Sequence, residues 1–380
     1  MDYYCDRLEE SDGLATAMGQ YGVGDTNHSV LRPWGVWAVI SPFNFPLALV
    51  ASPTSAALLT GNTVVLKPSN TGALGSLLLA DIYARAGLPA GALQVVTGGD
   101  EAGDRLAHHD DVDGVTFTGS YDVGMYLYRT VAAGRPKPVV CEMGGKNPAV
   151  VTATADLDQA AEGVMRAAFG LSGQKCSANS RVYVERPAFE DFLGLLAEKT
   201  AEVRLGDPRD RETFLGPVID QEAVDRFRSA VEAVREAGGE VLSGGEVVTD
   251  GDMARGNFVQ PTVVTAPEET WIWEKELFVP FVAVTPVDSL DEGIDKANDT
   301  IFGLTAGVFA GTDEEVDRFF QRIQAGVVYA NRRAGSTTGA WPDIQPFGGW
   351  KSSGTSGAGS GGPWYMRSYV REQARTLIRE

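Results

Sequence analysis

One cysteine, Cys176, lies in a segment whose composition suits a reactive thiol. It follows a glycine, a glutamine and a lysine at residues 173–175 and precedes Ser177, in a stretch predicted as a loop between a helix and a strand. The adjacent lysine and a nearby helix end would lower the pKa of this thiol and raise its thiolate fraction, which makes it a candidate nucleophile. Cysteines are more often inert core residues, and that interpretation is kept for Cys5 and Cys141.

Two other polar residues lie where predicted strands end. Glu142 follows the apolar run at residues 139–141, where a carboxylate must be paired, exposed in a cleft, or raised in pKa by desolvation. Pairing with Lys146 would make Glu142 structural, whereas a general base is the functional alternative. Asn44 follows the predicted strand at residues 35–40, a position where asparagine is ordinarily a cap or turn residue.

Histidine-based and metal-based chemistry is disfavoured. The three histidines are His28, His108 and His109, and the adjacent pair precedes two aspartates on a predicted polar helix, where it would be solvated. No HExxH, CxxC or similar ligand spacing occurs, so no metal is expected. Acid–base work would therefore fall to carboxylates or lysines.

Two strand-to-helix turns could contact a nucleotide. Gly119 and Ser120 follow the predicted strand at residues 115–117, where a pyrophosphate could bind at a helix N-terminus. Lys67 directly follows another predicted strand and puts an amine where a ribose would lie. Neither signal is specific alone, because no GxGxxG follows the first strand.

The elements that position these residues alternate in type. Strands of a first series are predicted at residues 35–40, 63–66, 93–96, 115–117 and 139–141, with helices at 3–10, 46–59, 73–85, 104–109 and 122–132. A second series, beginning near residue 147, has strands at 181–184, 258–264, 281–284 and 326–330, with helices at 188–202, 221–236 and 313–323. Such alternation predicts an α/β fold with parallel sheets, which bind dinucleotides at the carboxyl ends of strands. Residues 374–378 are a predicted terminal strand with no later element to pair with.

Length and composition limit the class of protein. A chain of 380 residues is long enough for two or three domains. Its content of 43% hydrophobic and 22% charged residues is typical of a soluble globular protein. No apolar stretch is long enough to span a bilayer, and no signal-peptide pattern is seen. With three scattered cysteines, a reducing cytoplasm is expected rather than a disulfide framework.

The charge is unusually negative. The formal net charge is -19, and eight of the 32 basic residues are lysine. An acidic surface poor in lysine suits a halophilic, high-salt cytoplasm, where repulsion is screened within about 3 Å at 1 M salt. A soluble acidic enzyme from an ordinary cytoplasm is the alternative. No basic stripe is present to meet phosphates, so nucleic-acid binding is not expected.

Taken in order, these segments resemble the aldehyde dehydrogenase superfamily. The motifs that carry the resemblance are Ser41-Pro-Phe-Asn-Phe-Pro46, Gly61-Asn-Thr-Val-Val-Leu-Lys-Pro68, Phe117-Thr-Gly-Ser120, Glu142-Met-Gly-Gly-Lys146, Gly173-Gln-Lys-Cys176, Glu276-Leu-Phe278 and Pro346-Phe-Gly-Gly-Trp-Lys351. The 34-residue interval between Glu142 and Cys176 also matches. The resemblance runs from about residue 30 to the C-terminus.

The resemblance implies a domain organisation. Residues 1–144 would form a Rossmann-type coenzyme-binding domain, N-terminally short and with an oligomerisation strand near residues 25–36. Residues 145–352 would form the α/β catalytic domain, and residues 353–380 would return to the coenzyme domain and end in an oligomerisation strand. A homo-oligomer with a small oligomerisation sheet is therefore expected.

The resemblance also implies roles for individual residues. Cys176 would attack the aldehyde carbon, Asn44 and the Cys176 N–H would hold the oxyanion, and Glu142 would activate the hydrolytic water. NAD or NADP would be the coenzyme, bound by Lys67, Ser69, Asn70, Gly119, Ser120, Glu276 and Phe278.

Within the superfamily, the chain is most similar to the glutamate-γ-semialdehyde (1-pyrroline-5-carboxylate) dehydrogenases. The resemblance lies in Ser177 after the nucleophile and in Thr338-Gly339-Ala340 shortly before Gln345. It implies that Ser177 and the amides of Gly339 and Ala340 clasp a substrate carboxylate, and that Phe45 and Phe347 flank the aliphatic chain.

Departures from the family pattern leave alternatives open. The chain begins inside the family's N-terminal region, Asn70 replaces a common glutamate, and Val279 adds a branched side chain beside the wall that Phe278 would form. The alternatives are a broader aldehyde or semialdehyde specificity and an inactive N-terminally truncated fragment. An acylating enzyme that passes the thioester to coenzyme A is disfavoured, because Glu142 is present to activate water.

Overall fold

The computed structural model describes residues 2–11, 14–333 and 341–379. The chain divides into two compact units. The first comprises Met1–Met143, Ala340–Gly348 and Gly354–Glu380, and the second comprises Gly144–Gly339 and Gly349–Ser353.

The first unit begins with a helix and then alternates strands with helices. In chain order its elements are α1 (Asp2–Glu10), β1 (Ala15–Ala17), β2 (Asp25–Pro33), β3 (Val36–Ser41), α2 (Ala48–Leu59), β4 (Thr63–Pro68), α3 (Ala73–Arg85), β5 (Leu93–Val95), α4 (Asp100–Ala107), β6 (Gly114–Thr118), α5 (Tyr121–Thr130) and β7 (Val139–Glu142). The five strands β5-β4-β3-β6-β7 form a parallel sheet in that order. Its central strands are buried because their apolar runs face helices on both sides.

The second unit contains a larger sheet. Its elements are β8 (Asn147–Val151), α6 (Leu157–Phe169), β9 (Asn179–Glu185), α7 (Phe189–Ala201), α8 (Gln221–Glu236), β10 (Glu240–Ser243), β11 (Thr262–Thr265), β12 (Phe281–Val287), α9 (Leu290–Asn298), β13 (Phe302–Gly303), β14 (Thr305–Phe309), α10 (Asp313–Arg322), β15 (Val327–Ala330) and β16 (Trp350–Lys351). The sheet order is β10-β11-β12-β9-β8-β14-β15. Within this sheet, as described, the β10–β11 pair is antiparallel and every other pair is parallel.

Side-chain caps begin several helices of the second unit. Asp156 accepts a hydrogen bond from the Gln159 N–H at the start of α6. Asp220 accepts one from the Ala223 N–H at the start of α8. Thr312 and Glu315 form a reciprocal capping box at α10. These caps satisfy the N–H groups that a helix leaves unpaired at its start.

The C-terminal strand corrects one expectation. β17 (Val370–Ile378) is not without a partner, because it pairs antiparallel with β2 over its whole length. Together with β1 they form a three-stranded sheet in the first unit, in the order β1-β2-β17. The segment near residues 25–36 therefore supplies the partner strand from the same chain.

The predicted bounds of the other helices and strands agree with the structure to different degrees. Helices α3 and α8 have the predicted bounds, but α4 starts four residues earlier than predicted and ends at Ala107. The strand predicted at residues 258–264 is β11, and it begins only at Thr262. Helix α6 is the helix that was predicted, without bounds, before Cys176, whereas α9 and β14 were not predicted. Over the described ranges, no helix is both long and apolar enough to cross a membrane.

Candidate active site

The predicted site residues of the first unit follow the carboxyl ends of its parallel strands. Asn44 and Phe45 lie between β3 and α2, and Lys67 lies one residue before the end of β4. Ser69 and Asn70 come directly after β4. Because β3 and β4 are hydrogen-bonded neighbours, these loops lie at one edge of the sheet, where α/β sheets bind ligands.

The turn after β6 is built closely against the end of β7. The Gly119 N–H donates to the Glu142 carbonyl oxygen over 3.1 Å. A side chain at Gly119 would overlap the Phe117 ring, which makes glycine necessary there. Ser120 is the N-cap of α5, and its side chain accepts no cap hydrogen bond within the described residues. The first turn of α5 thus has main-chain N–H groups that can donate to a bound anion.

Lys67 is a buried amine at the same sheet edge. Its side chain lies against α4, since a Cβ added at Gly103 would be 3.6 Å from Lys67 Cδ and 3.7 Å from Cε. Burial lowers the pKa of Lys67, and the nearby Asp100 opposes that shift. Asn70 is exposed and approaches the N-cap of the same helix, 3.8 Å from a Cβ added at Gly99.

The predicted site residues of the second unit lie near the amino ends of its parallel strands. Cys176 and Ser177 lie in the segment that enters β9, and Glu276 and Phe278 lie in the segment that enters β12. The segment that enters β8 contains Gly144 and Gly145. Because β12, β9 and β8 are parallel neighbours, these three segments meet at the amino ends of the strands.

The residues before Cys176 adopt a strained backbone. Leu171 and Ser172 both have φ of 56°, and Gly173 has φ of 68°. A side chain at Gly173 would overlap the Val279 main chain, so the close approach requires glycine. Left-handed non-glycine residues cost about 1–3 kcal/mol each and persist only where the surroundings hold them. The Gln174 Oε1 atom provides one such restraint, accepting from the Ile219 N–H over 2.8 Å.

Cys176 itself lies in a closed turn beside a buried lysine. The Ala178 N–H donates to the Lys175 carbonyl oxygen over 3.0 Å, which closes a four-residue turn. Burial lowers the pKa of Lys175 to about 8, and the charge of Cys176 opposes that shift. The electrostatic coupling of the two side chains favours the thiolate when the lysine is protonated.

Glu276 is held by the paired glycines. Its Oε1 atom accepts from the Gly145 N–H over 3.1 Å, and a side chain at Gly144 would overlap the carboxylate. Desolvation raises the pKa of Glu276 to about 7, against the hydrogen bond from Gly145 and the charge of Lys146. Burial lowers the pKa of Lys146 to about 7, and Arg181 lowers it further while Glu276 raises it. Desolvation thus raises the pKa of the acid and lowers the pKa of the amine, and the attraction between the two charges opposes both shifts.

Phe278 is another strained residue, with φ of 55°. The next residue, Val279, is 4% exposed and belongs to the hydrophobic core of the second unit. The branched side chain therefore packs in the core.

The predicted substrate residues have different surroundings. Ser177 is buried, and its carbonyl oxygen accepts from the Thr305 hydroxyl over 3.4 Å. Phe45 is 36% exposed. Phe347 is half-buried and exchanges two main-chain hydrogen bonds with Ser360. Gly339 and Ala340 lie outside the described residues.

The histidine pair lies at the end of α4, with His108 half-buried and His109 exposed to solvent as predicted. His108 directly follows α4 instead of lying within it. Its Nδ1 atom lies 3.0 Å from the Asp104 carbonyl oxygen and its Nε2 atom 3.0 Å from the Thr130 hydroxyl. In the part of the chain described, no three His, Cys, Asp or Glu side chains lie close enough to hold a metal ion.

The glycine pair that holds Glu276 is not among the predicted site residues. Gly144 and Gly145 follow the acid that ends β7 after one intervening residue, Met143, and two glycines at such a position indicate close approach by another group. That signal was available, but the identity of the approaching carboxylate was not, because it lies 131 residues away in sequence.

Comparison with known proteins identifies the family. A model described as "Aldehyde dehydrogenase family" matches residues 1–374. The chain belongs to the aldehyde dehydrogenase family. As a member of that family it is an oxidoreductase that acts on aldehydes.

Individual relatives of this aldehyde dehydrogenase cover nearly all of the chain. The 1-pyrroline-5-carboxylate dehydrogenase of Geobacillus sp. (strain WCH70) is 39% identical over an alignment of 385 positions, which covers 99% of this chain and 72% of the relative. A mutant of Thermus thermophilus 1-pyrroline-5-carboxylate dehydrogenase has a TM-score of 0.92 at 32% identity, with 100% of this chain and 72% of that chain covered. A Staphylococcus aureus betaine aldehyde dehydrogenase mutant in complex with NAD+ has a TM-score of 0.91 at 26% identity, with 99% of this chain and 76% of that chain covered.

Proposed function

We propose that this aldehyde dehydrogenase oxidises L-glutamate γ-semialdehyde to glutamate with NAD or NADP, as a step of proline catabolism. The observation that carries the proposal is the restrained turn that holds Cys176 beside the buried Lys175. The relatives named 1-pyrroline-5-carboxylate dehydrogenase support the choice of substrate. A reducing cytoplasm fits the three free thiols of Cys5, Cys141 and Cys176, and the acidic, lysine-poor composition fits high salt.

The coenzyme would bind at the carboxyl edge of the first unit's parallel sheet. The residues there fit a dinucleotide, because the start of α5 can hold a pyrophosphate and Gly119 allows close approach. Lys67, Ser69 and Asn70 would contact a ribose, and Ser120 the pyrophosphate. Glu276 and Phe278 of the second unit would contact the nicotinamide end. When bound, the nicotinamide takes up the hydride that the substrate carbon releases.

The Cys176 thiolate would attack the aldehyde carbon and form a C–S bond, which gives a thiohemiacetal with the negative charge on oxygen. The Asn44 amide and the Cys176 N–H would donate to this oxyanion. A donor of this kind contributes about 3 kcal/mol to the stability of the transition state. Loss of hydride from the same carbon leaves a thioester on Cys176.

Glu142 would then act as the general base. It takes a proton from water, the resulting hydroxide adds to the thioester carbon, and the C–S bond breaks to release the carboxylic acid. The thiolate of Cys176 is regenerated and the proton leaves through Glu142. A thiol suits both halves, because it is nucleophilic toward aldehydes and its ester is readily hydrolysed.

The two functions would therefore be divided between coenzyme binding by the first unit (Met1–Met143, Ala340–Gly348 and Gly354–Glu380) and nucleophilic attack by the second (Gly144–Gly339 and Gly349–Ser353). These bounds differ from the predicted ones of 1–144, 145–352 and 353–380 chiefly at residues 340–348, which group with the first unit. We also propose that the chain is a homo-oligomer. In the described part of the chain, the edge of β17 away from β2 pairs with no strand, and such an edge can pair with another subunit.

Asn70 is expected to permit both coenzymes. A glutamate there would repel a 2′-phosphate at a cost of about 1 kcal/mol in a partly wet site. The exposed Asn70 amide carries no such charge, so NADP should be used within about tenfold of NAD, a gap of about 1.4 kcal/mol. Asn70→Glu should shift the ratio of kcat/KM values toward NAD, and Asn70→Gln controls for side-chain length without adding charge. If Asn70→Glu and Asn70→Gln give the same ratio, another residue sets the preference.

Substrate charge tests the proposed function most directly. Ser177 and the amides of Gly339 and Ala340 would offer up to three donors to the substrate carboxylate. Each contributes about 1.5–3 kcal/mol, but clustered donors do not add fully, and about 4 kcal/mol is expected for the set. That corresponds to a kcat/KM for glutamate γ-semialdehyde about a thousandfold above that for hexanal.

Glutarate semialdehyde separates the carboxylate from the amino group in this test. It retains the carboxylate, so it should compete well with glutamate γ-semialdehyde in steady-state assays of NADH formation. Equal efficiency for hexanal and glutamate γ-semialdehyde would exclude the carboxylate anchor and leave a broad-specificity aldehyde dehydrogenase.

A further inference from the structure

The carbonyl groups of the nucleophile turn are held by side chains that start two neighbouring strands. Asn147 is the first residue of β8, and its Nδ2 atom donates to the carbonyl oxygens of Cys176, over 2.6 Å, and Ala178, over 2.9 Å. Thr305 is the first residue of β14, and its hydroxyl donates to the Ser177 carbonyl oxygen over 3.4 Å. Three consecutive carbonyls are thus bound from inside the second unit.

The orientation of the Asn147 amide is fixed. Its Oδ1 atom accepts from the main-chain N–H of Thr305 over 3.0 Å, and because that N–H can only donate, the opposite end of the amide must be Nδ2. Both Asn147 and Thr305 are 1% exposed, so water does not replace these bonds. The pair acts as one buried unit, in which Thr305 orients Asn147 and both side chains hold the turn.

Because the main-chain carbonyl groups of the turn are held in place, the directions of its main-chain N–H groups are set as well. The peptide bonds described are trans, so each N–H points opposite to the preceding carbonyl. The Lys175 carbonyl oxygen accepts across the turn from Ala178, which directs the Cys176 N–H outward. The Cys176 carbonyl points to Asn147, which directs the Ser177 N–H away from it.

Asn147 is also next to the segment that holds Glu276. A Cβ added at Gly145 would be 2.5 Å from Asn147 Oδ1 and 2.7 Å from the Cys176 carbonyl oxygen, while the Gly145 N–H donates to Glu276. The stretch from Gly144 to Asn147 therefore contacts both Glu276 and the main chain of Cys176.

We propose that Asn147, with Thr305, is a positioning residue that sets the orientation of the Cys176 turn and so of the thiol and the N–H groups beside it. This inference rests on the proposed role of Cys176 as the nucleophile. Neither side chain touches the reacting atoms, so both act through the main chain that they hold.

Asn147→Asp tests the proposal with a side chain of the same shape. A carboxylate would face two carbonyl oxygens without donating to either, and a misplaced turn should lower kcat by about 100-fold. KM for the coenzyme should stay near the wild-type value. The rate of Cys176 alkylation by iodoacetamide, measured against Cys5 in the same chain, should fall by about tenfold, as expected if the added charge raises the thiol pKa by about one unit.

Asn62→Asp is a matched control in the first unit. The buried Asn62 amide also donates to two carbonyl oxygens, those of Ala57 and Tyr369, and accepts from the Gly35 N–H. The substitution should lower the melting temperature as Asn147→Asp does, but leave the alkylation ratio of Cys176 to Cys5 unchanged.

Thr305→Val keeps the test decisive if Asn147→Asp does not fold. It removes the hydroxyl donor to Ser177 with little change in shape and should lower the alkylation ratio by about fivefold. A folded Asn147→Asp or Thr305→Val variant with the wild-type ratio would overturn the proposal. Alkylation needs neither aldehyde nor coenzyme, so the positioning role can be measured even in an inactive protein. A wild-type chain that oxidises no aldehyde would refute the proposed function alone.

Discussion

Cys176→Ala is expected to lower aldehyde oxidation by on the order of 10⁴-fold or more, since removing the nucleophile of a covalent mechanism removes most of its catalysis. Alanine keeps the main-chain carbonyl groups of residues 175–178, to which the Ala178 N–H and the Asn147 amide donate. Coenzyme binding should therefore be nearly unchanged. Turnover is measured as NADH formation with glutamate γ-semialdehyde, and binding as quenching of intrinsic protein fluorescence by the coenzyme.

The other two cysteines are the controls for this substitution. Cys141 is buried in β7, and burial raises the pKa of its thiol to about 12, so it is not a thiolate at neutral pH. Cys141→Ala and Cys5→Ala should both keep turnover. Normal activity in Cys176→Ala would refute the covalent mechanism as a whole.

Glu142→Gln is expected to separate the two halves of the reaction. Without a base to activate water, hydrolysis of the thioester should slow by on the order of 10²–10⁴-fold. Oxidation needs no water, so stopped-flow measurements should show a burst of about one NADH per active site before turnover stalls, which is characteristic of an accumulating covalent intermediate.

Glu185→Gln is a control for loss of a carboxylate at a strand end. Glu185 ends β9 and accepts from the N–H groups of Leu290 and Ala153, so its role is structural. This variant should show normal steady-state rates without a burst. If Glu142→Gln keeps the wild-type steady-state rate, another group activates the water; if it shows no burst, Glu142 is needed before hydride leaves.

The sequence was most informative where local pattern and tertiary structure agree. α3 was predicted with its observed bounds because an apolar helical segment ends before Gly87, whose φ is +90°. The parallel sheet of the first unit followed from short apolar runs separated by helices. β14 was missed, because Thr305–Phe309 contains two small residues and is buried on both faces, so it shows no alternation.

The site was predictable as residue types but not as geometry. Cys176 was found from its small, polar neighbours and the lysine beside it, and these are local features. Its restraint by Asn147 and Thr305 depends on strand neighbours in the sheet, with Thr305 128 residues from Ser177 in sequence. The partner of the terminal strand was missed for the same reason, since β2 lies hundreds of residues earlier.

The pairing of β17 with β2 has a consequence for synthesis. The hydrogen bond between Ser29 and Glu372 joins residues 343 positions apart, so the three-stranded sheet cannot form until nearly the whole chain has been made. The second unit, by contrast, is built from one long segment and the short Gly349–Ser353 return. On the ribosome, where domains fold as units from the N-terminus, the later-encoded nucleophile unit can fold before the earlier-encoded first unit is complete. A chain that stalls short of residue 370 would leave β2 with an open edge, which is a site of aggregation.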